Sequence, residues 1–429
     1  MFGTIIREST GPLVLGALLV FTKSLGLKRK GEKIMLTETQ KRVADSLEDE
    51  LIQIRRHLHQ NPEIGMDLPN TVAFVKGKLI EYGYEPQSCG DSGITVVAGK
   101  KSGKTFLLRG DMDALPIREL TDLPFKSENG YMHACGHDMH TTMLLGAAKL
   151  LKEFEAELDG QVKLLFQPGE EILSGSKVCI ENHVLENPKV DAGMMIHVFP
   201  FKGFKAGQIM PTPPGTFMAS ADWFEINIKG RGGHGSQPET SIDPINVAVH
   251  IYTALQELSA REIGSEERFV LTIGEFTGGT PGASNIIPET TVMKGTLRTL
   301  KEDVREHVKE RMTAMAENIA KAFRAEAEVI FTNGCTTNVN DPELTAFAKE
   351  SLTETFGADR IVAIPTSTPL MGSEDFGEIS QLIPTTTVLL VASEENINLH
   401  NPAIVFDESV LIEGAKVYAD TAMSWLKKG

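Results

Sequence analysis

Cysteine is scarce in this chain. Cys89, Cys135, Cys179 and Cys335 are the only four among 429 residues, they lie far apart, and none forms a CxxC pair. That spacing excludes a disulfide framework. Positive charge is also in deficit. With 42 Lys and Arg against 58 Asp and Glu, the formal charge is −16. No nucleic-acid partner is expected, because phosphate binding needs a basic footprint. The balance instead fits a self-repelling cytoplasmic protein. Long apolar runs are absent. Gly11 to Phe21 is the nearest to one, but it is too short to span a bilayer comfortably. It also lacks a basic n-region and a clear cleavage site. A short signal-anchor is one account of residues 1–34. We read them as an upstream extension of the reading frame, with Met35 opening the protein proper. Repeats and low-complexity tracts are missing too. The glycine-rich segment Gly99 to Thr105 is one spacer short of a phosphate-binding loop and leads into a strand, so no nucleotide site is expected there.

What remains is an ordinary globular composition long enough for two domains. From Met35 the pattern alternates: an amphipathic helix over Thr37–Leu58, capped by Thr37 with Gln40, then a helix over Asn70–Tyr82. Strands are predicted at Ile94–Ala98, Thr105–Arg109, Gln161–Phe166 and Val190–Val198, with a helix over Thr141–Phe154. Such alternation implies an α/β sheet that places ligands at the C-terminal ends of its strands. After the Pro-rich segment Pro211–Gly215 the order becomes strand, helix, strand, strand, helix, strand, the ferredoxin-like βαββαβ arrangement. The expected fold is a mixed-sheet catalytic domain in two parts, residues 35–215 and 334–429. A lid or dimerisation domain, residues 216–333, is inserted between them.

The chemistry concentrates in a few short stretches. His133-Ala134-Cys135-Gly136-His137-Asp138-Met139-His140 holds three of the chain's 11 histidines beside a thiol. Cys135 and His137, two apart around a glycine, can point at one ion, and thiolate with imidazole suits zinc and its neighbours. Asp111 and Asp113 follow an apolar strand and share a face if the strand continues. They could bind metal, orient a ligating imidazole from behind, or simply be solvated turn residues. Glu170 and Glu171 follow a buried strand and a Pro-Gly turn. On extended backbone the two point apart, so one can hold an ion while the other takes a water's proton and passes it to a leaving amine. His197 closes an apolar run, and His400 sits in a late loop. Cys135, His137, Glu171, His197 and His400 together supply donors for two ions with open positions. The loop Gly230 to Ser236 exposes His234.

These stretches have a precedent. RRHLHQNPEIG, GDMDALPI, MHACGHDMHT, QPGEE, the His197 segment, GRGGHGSQP, NIIPE, GTLR, GSEDF and HNP occur in order from Arg55 to Pro402, within a resemblance that runs from about Arg55 to Ala415. In this the chain resembles the dinuclear-metal aminoacylase and carboxypeptidase family of metallopeptidases. Cys135, where other branches use Asp, makes it similar to the amidohydrolase branch of hippurate hydrolase and the indole-acetyl-amino-acid hydrolases. The resemblance implies two divalent ions per subunit (Zn, Mn, Co or Ni) on the five donors above. It implies Glu170 as general base and Asp113 as the residue orienting a ligand. It further implies a homodimer through the inserted domain, with His234, from the partner subunit, polarising the scissile carbonyl, and Asn285 and Arg298 near the substrate. Met139 and the run Ile172-Leu173-Ser174 depart from the family pattern and bear on pocket shape. The expected activity is hydrolysis of N-acyl amino acids by a metal-activated water. A dipeptidase, a carboxypeptidase or an N-acetyl-diaminopimelate deacetylase would use the same site. An inactive, metal-binding dimeric interaction protein is the reading from another class.

Overall fold

The computed structural model describes residues 36–99, 102–364 and 369–428. The expectation for residues 1–34, and the middle of the expected turn at 99–104, lie outside them. The strands are β1 (Gln87–Cys89), β2 (Gly93–Gly99), β3 (Thr105–Asp111), β4 (Gln161–Gln167), β5 (Ala192–Pro200), β6 (Ile209–Pro211), β7 (Gly215–Met218) and β8 (Ser220–Lys229). There follow β9 (Gly233–His234), β10 (Phe269–Gly278), β11 (Ile286–Ile287), β12 (Thr290–Thr299), β13 (Glu326–Cys335), β14 (Asn338–Asn340) and β15 (Thr385–Ser393). The helices are α1 (Glu38–Asp45), α2 (Glu48–Gln60), α3 (Pro69–Glu81), α4 (His137–Glu153) and α5 (Gly175–Glu181). After them come α6 (Pro244–Glu257), α7 (Glu302–Ala322), α8 (Pro342–Phe356), α9 (Gly377–Ser380) and α10 (Leu411–Lys428).

Seven strands form one mixed sheet in the order β1-β2-β4-β3-β5-β15-β6. Its centre is parallel, and β1, β2 and β6 run antiparallel at the edges. Alternate residues face opposite layers, as strand geometry requires. Phe106, Leu108, Leu164, Met194 and Ile196 pack with α1–α4, α8 and α10. Leu107, Leu165 and Met195 pack with Cys179 of α5 and Ile379 of α9. Both faces are covered, which is why these strands read as unbroken apolar runs.

A second sheet has the order β10-β12-β8-β13, all antiparallel. With α6 after β8 and α7 after β12, that is the split βαβ order expected from sequence. It has its own core: Phe224, Ile226 and Ile228 of β8 meet Val247, Ile251 and Leu255 of α6 and Val308, Met312 and Ala316 of α7. Each of these larger aliphatic or aromatic side chains contributes about 1.5–3 kcal/mol by leaving water.

Two local expectations change. The single helix over 37–58 is two, because the chain turns at Ser46 and Leu47, where the Ser46 hydroxyl donates to the Val43 carbonyl (2.6 Å). The cap itself is as expected, with Thr37 and Gln40 reciprocally bonded. Nor does β5 span Val190–Val198; it starts at Ala192 and runs on to Pro200. Among the described residues, no helix is long and apolar enough to cross a membrane.

Candidate metal centre

Three parallel strands deliver the site. Past the C-terminal end of β3 lies Asp113, past β4 lie Glu170 and Glu171, and near the end of β5 lies His197. Cys135 and His137 come from the start of α4. His137 is not in a loop, as its neighbours suggested, but opens the helix. Gly136 is the N-cap, with φ 90°, and a Cβ there would overlap the Val198 side chain. Only glycine fits that left-handed, crowded position.

The paired glutamates also differ from expectation. They sit in a turn rather than on extended backbone, because Gly169 (φ 66°) reverses the chain and Leu173 N–H closes onto the Glu170 carbonyl (2.8 Å). Asp113 holds this turn with both oxygens. It accepts from the backbone N–H of Glu170 (3.0 Å) and of Glu171 (3.1 Å).

The imidazoles are fixed from behind. His137 Nδ1 lies 2.7 Å from the Asp113 carbonyl and His197 Nδ1 lies 2.7 Å from the Val198 carbonyl. A carbonyl only accepts, so Nδ1 carries the proton in each ring and Nε2 is free to bind. His197 Nε2 lies 3.6 Å from Cys135 Sγ. His137 Nε2 is buried without a hydrogen-bond partner, as is Glu171 Oε1. His400 Nε2 lies 3.4 Å from that Oε1, near it but without the alignment of a hydrogen bond. Its backbone is left-handed (φ 65°), and its N–H donates to the Ala134 carbonyl (3.0 Å), which ties this loop to the Cys135 segment.

The donor atoms of Cys135, His137 and His197 all lie within 4.8 Å of one another, and so do those of Cys135, Glu171 and His400. Cys135 is common to both triads. Two orphaned buried donors and a thiol shared between triads are the chemistry of a divalent-cation site. The electrostatics agree. Burial, then Glu171 and Glu170, push the Cys135 thiol well up, and burial, then Glu374 and Glu171, push the Glu170 carboxyl well up. Burial pulls His137 down, but Asp111, Asp113 and Glu171 outweigh it and carry the ring up to about 10. Such an excess of buried carboxylate calls for a cation.

Two other acidic groupings are already satisfied. His140 Nδ1 lies 2.6 Å from Asp111, and its Nε2 accepts from Val198 N–H (2.9 Å), so it buttresses β5. Glu374 and Asp375 lie near Glu170, but a guanidinium holds them. Buried Arg109 meets Glu374 at 2.8 Å, Asp375 at 2.9 Å and Asp111 at 2.6 Å. Sequence reasoning missed this network. Its signals in the sequence are an arginine inside an apolar strand and the acidic pair of the GSEDF motif. Arg55 and His59, from RRHLHQ, both reach Asp138 at 2.8 Å and brace the first turn of α4.

The remaining expected residues lie elsewhere. His234, on β9, pairs with Ile286 of β11, and Asn285 lies just before that strand, where its carbonyl accepts from Gly235 N–H (2.7 Å); both His234 and Asn285 are exposed. His234 Nδ1 accepts from the backbone N–H of Ser236 (3.1 Å), and no described group joins it to the five donors. Arg298, on β12, donates to Ser373 Oγ (2.9 Å) and the Met371 carbonyl (3.2 Å).

The chain is similar to known proteins. The profile of peptidase family M20/M25/M40 matches residues 107–424. Hippurate hydrolase of Campylobacter jejuni is 38% identical over 89% of this chain and 98% of its own. N-acetyl-L-cysteine deacetylase of Bacillus subtilis is 36% identical over 88% of each. A Bacillus subtilis structure described as a dinuclear metal binding peptidase from the M20 family superposes with a TM-score of 0.73 at 32% identity. The superposition covers 89% of this chain and 99% of that one. The chain therefore belongs to peptidase family M20/M25/M40, as a metal-dependent hydrolase of its amidohydrolase branch.

Proposed function

We propose that this enzyme hydrolyses the amide bond of N-acyl amino acids, hippurate-like or N-acetylated. Two divalent ions would be held by Cys135, His137, Glu171, His197 and His400. The observation that carries this is the thiol of Cys135, common to two triads that between them use all five donors. Zinc, manganese, cobalt and nickel all tolerate such a set. When bound, the ions polarise the scissile carbonyl and make a water more acidic. Glu170 is the base that takes the water's proton and returns it to the departing amine. Asp113 aims both glutamates through their backbone. His234 of a partner subunit donates to the carbonyl oxygen, with Asn285 and Arg298 near the substrate.

We place the catalytic domain in residues 35–215 and 334–429, the insertion in 216–333, and the enzyme in the cytoplasm as a homodimer through the insertion. Supporting the dimer are Ile245, Val249 and Tyr252, exposed along one face of α6, and Phe276, exposed on the edge strand β10. An apolar face beside an open strand edge favours a second copy.

The test is release of ninhydrin-positive product from N-acetyl and N-benzoyl amino acids, with and without chelator. Chelator-sensitive release is expected. Turnover of dipeptides alone would make the enzyme a dipeptidase, and metal binding without turnover of either would leave an interaction protein.

A further inference from the structure

A cavity of about 550 Å³ opens at the β1-β2-β4 edge of the main sheet, and its walls include Cys89, Lys163 and the loop after α5. The strand period puts Lys163 on the same face as Leu165, where an apolar residue would continue the core with Cys179. Instead a lysine is 4% exposed there. A buried ammonium is costly unless its charge and its three donors are satisfied. One donor is used, on the Glu186 carbonyl at 2.6 Å. Among the described residues no carboxylate lies within ion-pair distance of it. The other lining ammonium, Lys152, is matched by Glu155 at 2.9 Å, and the Glu186 carboxylate turns to the His183 ring at 3.3 Å. Glu85 lies on the exposed rim.

The loop that presents the Glu186 carbonyl is held under strain. His183 (φ 62°) and Asn187 (φ 50°) are both left-handed without being glycine, and both line the cavity. Non-glycine residues in that region cost energy and gather at ligand clamps. The volume is that of a small-molecule site.

We propose that this cavity binds a small oxyanion, a carboxylate or inorganic phosphate, on the Lys163 ammonium. Cys89 supplies a local reporter that does not depend on turnover. Iodoacetate carries a carboxylate and iodoacetamide does not. With either, the Cys89 sulfur forms a bond to carbon as the carbon–iodine bond breaks, iodide leaves and the thiol proton goes to solvent. The holoenzyme is treated with each reagent, and the rate at Cys89 is read by peptide mass. The ratio of iodoacetate to iodoacetamide rates is then compared with that in the unfolded chain. Recruitment by Lys163 should raise this ratio about tenfold, the scale of one charge-assisted hydrogen bond. The rise should vanish in Lys163→Met and persist in Lys163→Arg. Millimolar acetate or phosphate should suppress it in the unaltered protein, and whichever competes better names the ligand class. That arm decides the matter even if Lys163→Met is unstable. A ratio equal to that of the unfolded chain, or a rise that survives Lys163→Met, would overturn the site. None of these outcomes depends on the hydrolase reading.

Discussion

Asp113 acts through backbone amides. By accepting from the N–H groups of Glu170 and Glu171 together, it sets both side chains of a turn whose reversal Gly169 permits. The two glutamates then separate by environment, Glu171 beside His400 and Glu170 near Glu374. Glu170→Gln should keep its metals and lose roughly two to four orders of magnitude in turnover. Glu171→Gln should lose metal, measured by atomic absorption on the dialysed protein. The reverse pattern would mean that the two roles are exchanged. Cys135→Ser should weaken metal binding and shift preference towards harder ions. A full complement at full rate would remove the shared thiol from the site. Cys135 and His137 stood out in the sequence because three imidazoles and a thiol crowd eight residues, although His140 of that stretch serves to buttress β5. Arg109 did not. Inside an apolar strand its partners Glu374 and Asp375 lie more than 260 positions away, and no local pattern announces such a pair.

At the scale of elements, the legible parts were those fixed by period: the central strands and α3 fall within a few residues of their expected spans, and α6 and α7 take their expected places in the βαββαβ order. Starts and turns were harder, because they depend on what packs against them. The start of α4 is set by Gly136 lying against Val198, a contact across the sheet. Gly136→Ala removes no donor, yet it should lower metal content and the thermal midpoint together, because the Cβ pushes on the residue beside His197. A variant with normal metal content would show that the helix start tolerates the shift. A second test lies where α10 meets α1 and α8. Buried Asp420 accepts from Leu36 N–H (2.9 Å), Ser351 Oγ (2.9 Å) and Thr355 Oγ (2.7 Å). Burial outweighs these bonds and raises its carboxyl from 3.8 to about 6. The folded form therefore holds this proton more tightly than the unfolded chain. The resulting stability is full below about pH 4 and is lost as pH rises through about 6. Asp420→Asn lacks that loss. Its stability relative to the parent, from thermal unfolding at pH 4, 5 and 7, should climb across this window by up to about 3 kcal/mol. A flat difference would mean that Asp420 stays ionised when folded.

His234 lies exposed on the β9–β11 ribbon, joined to none of the five donors, while α6 and β10 present apolar side chains to solvent. A residue placed on the inserted unit can serve the metals only by closure of that unit or from another subunit. His234→Ala should keep metal and fold but lose about a hundred- to a thousand-fold in turnover, as the loss of a donor to a developing oxyanion does. The two routes separate when inactive variants are mixed. If His234 serves the partner's site, a dimer of one His234→Ala and one Glu170→Gln subunit contains one site with both groups intact. Activity should then return on mixing, towards half of the parent rate per mixed dimer. If His234 serves its own chain, each subunit of the mixed dimer still lacks one group, and the mixture stays inactive. Native mass spectrometry establishes that mixed dimers form, so a silent mixture would place His234 within its own subunit or outside the reaction.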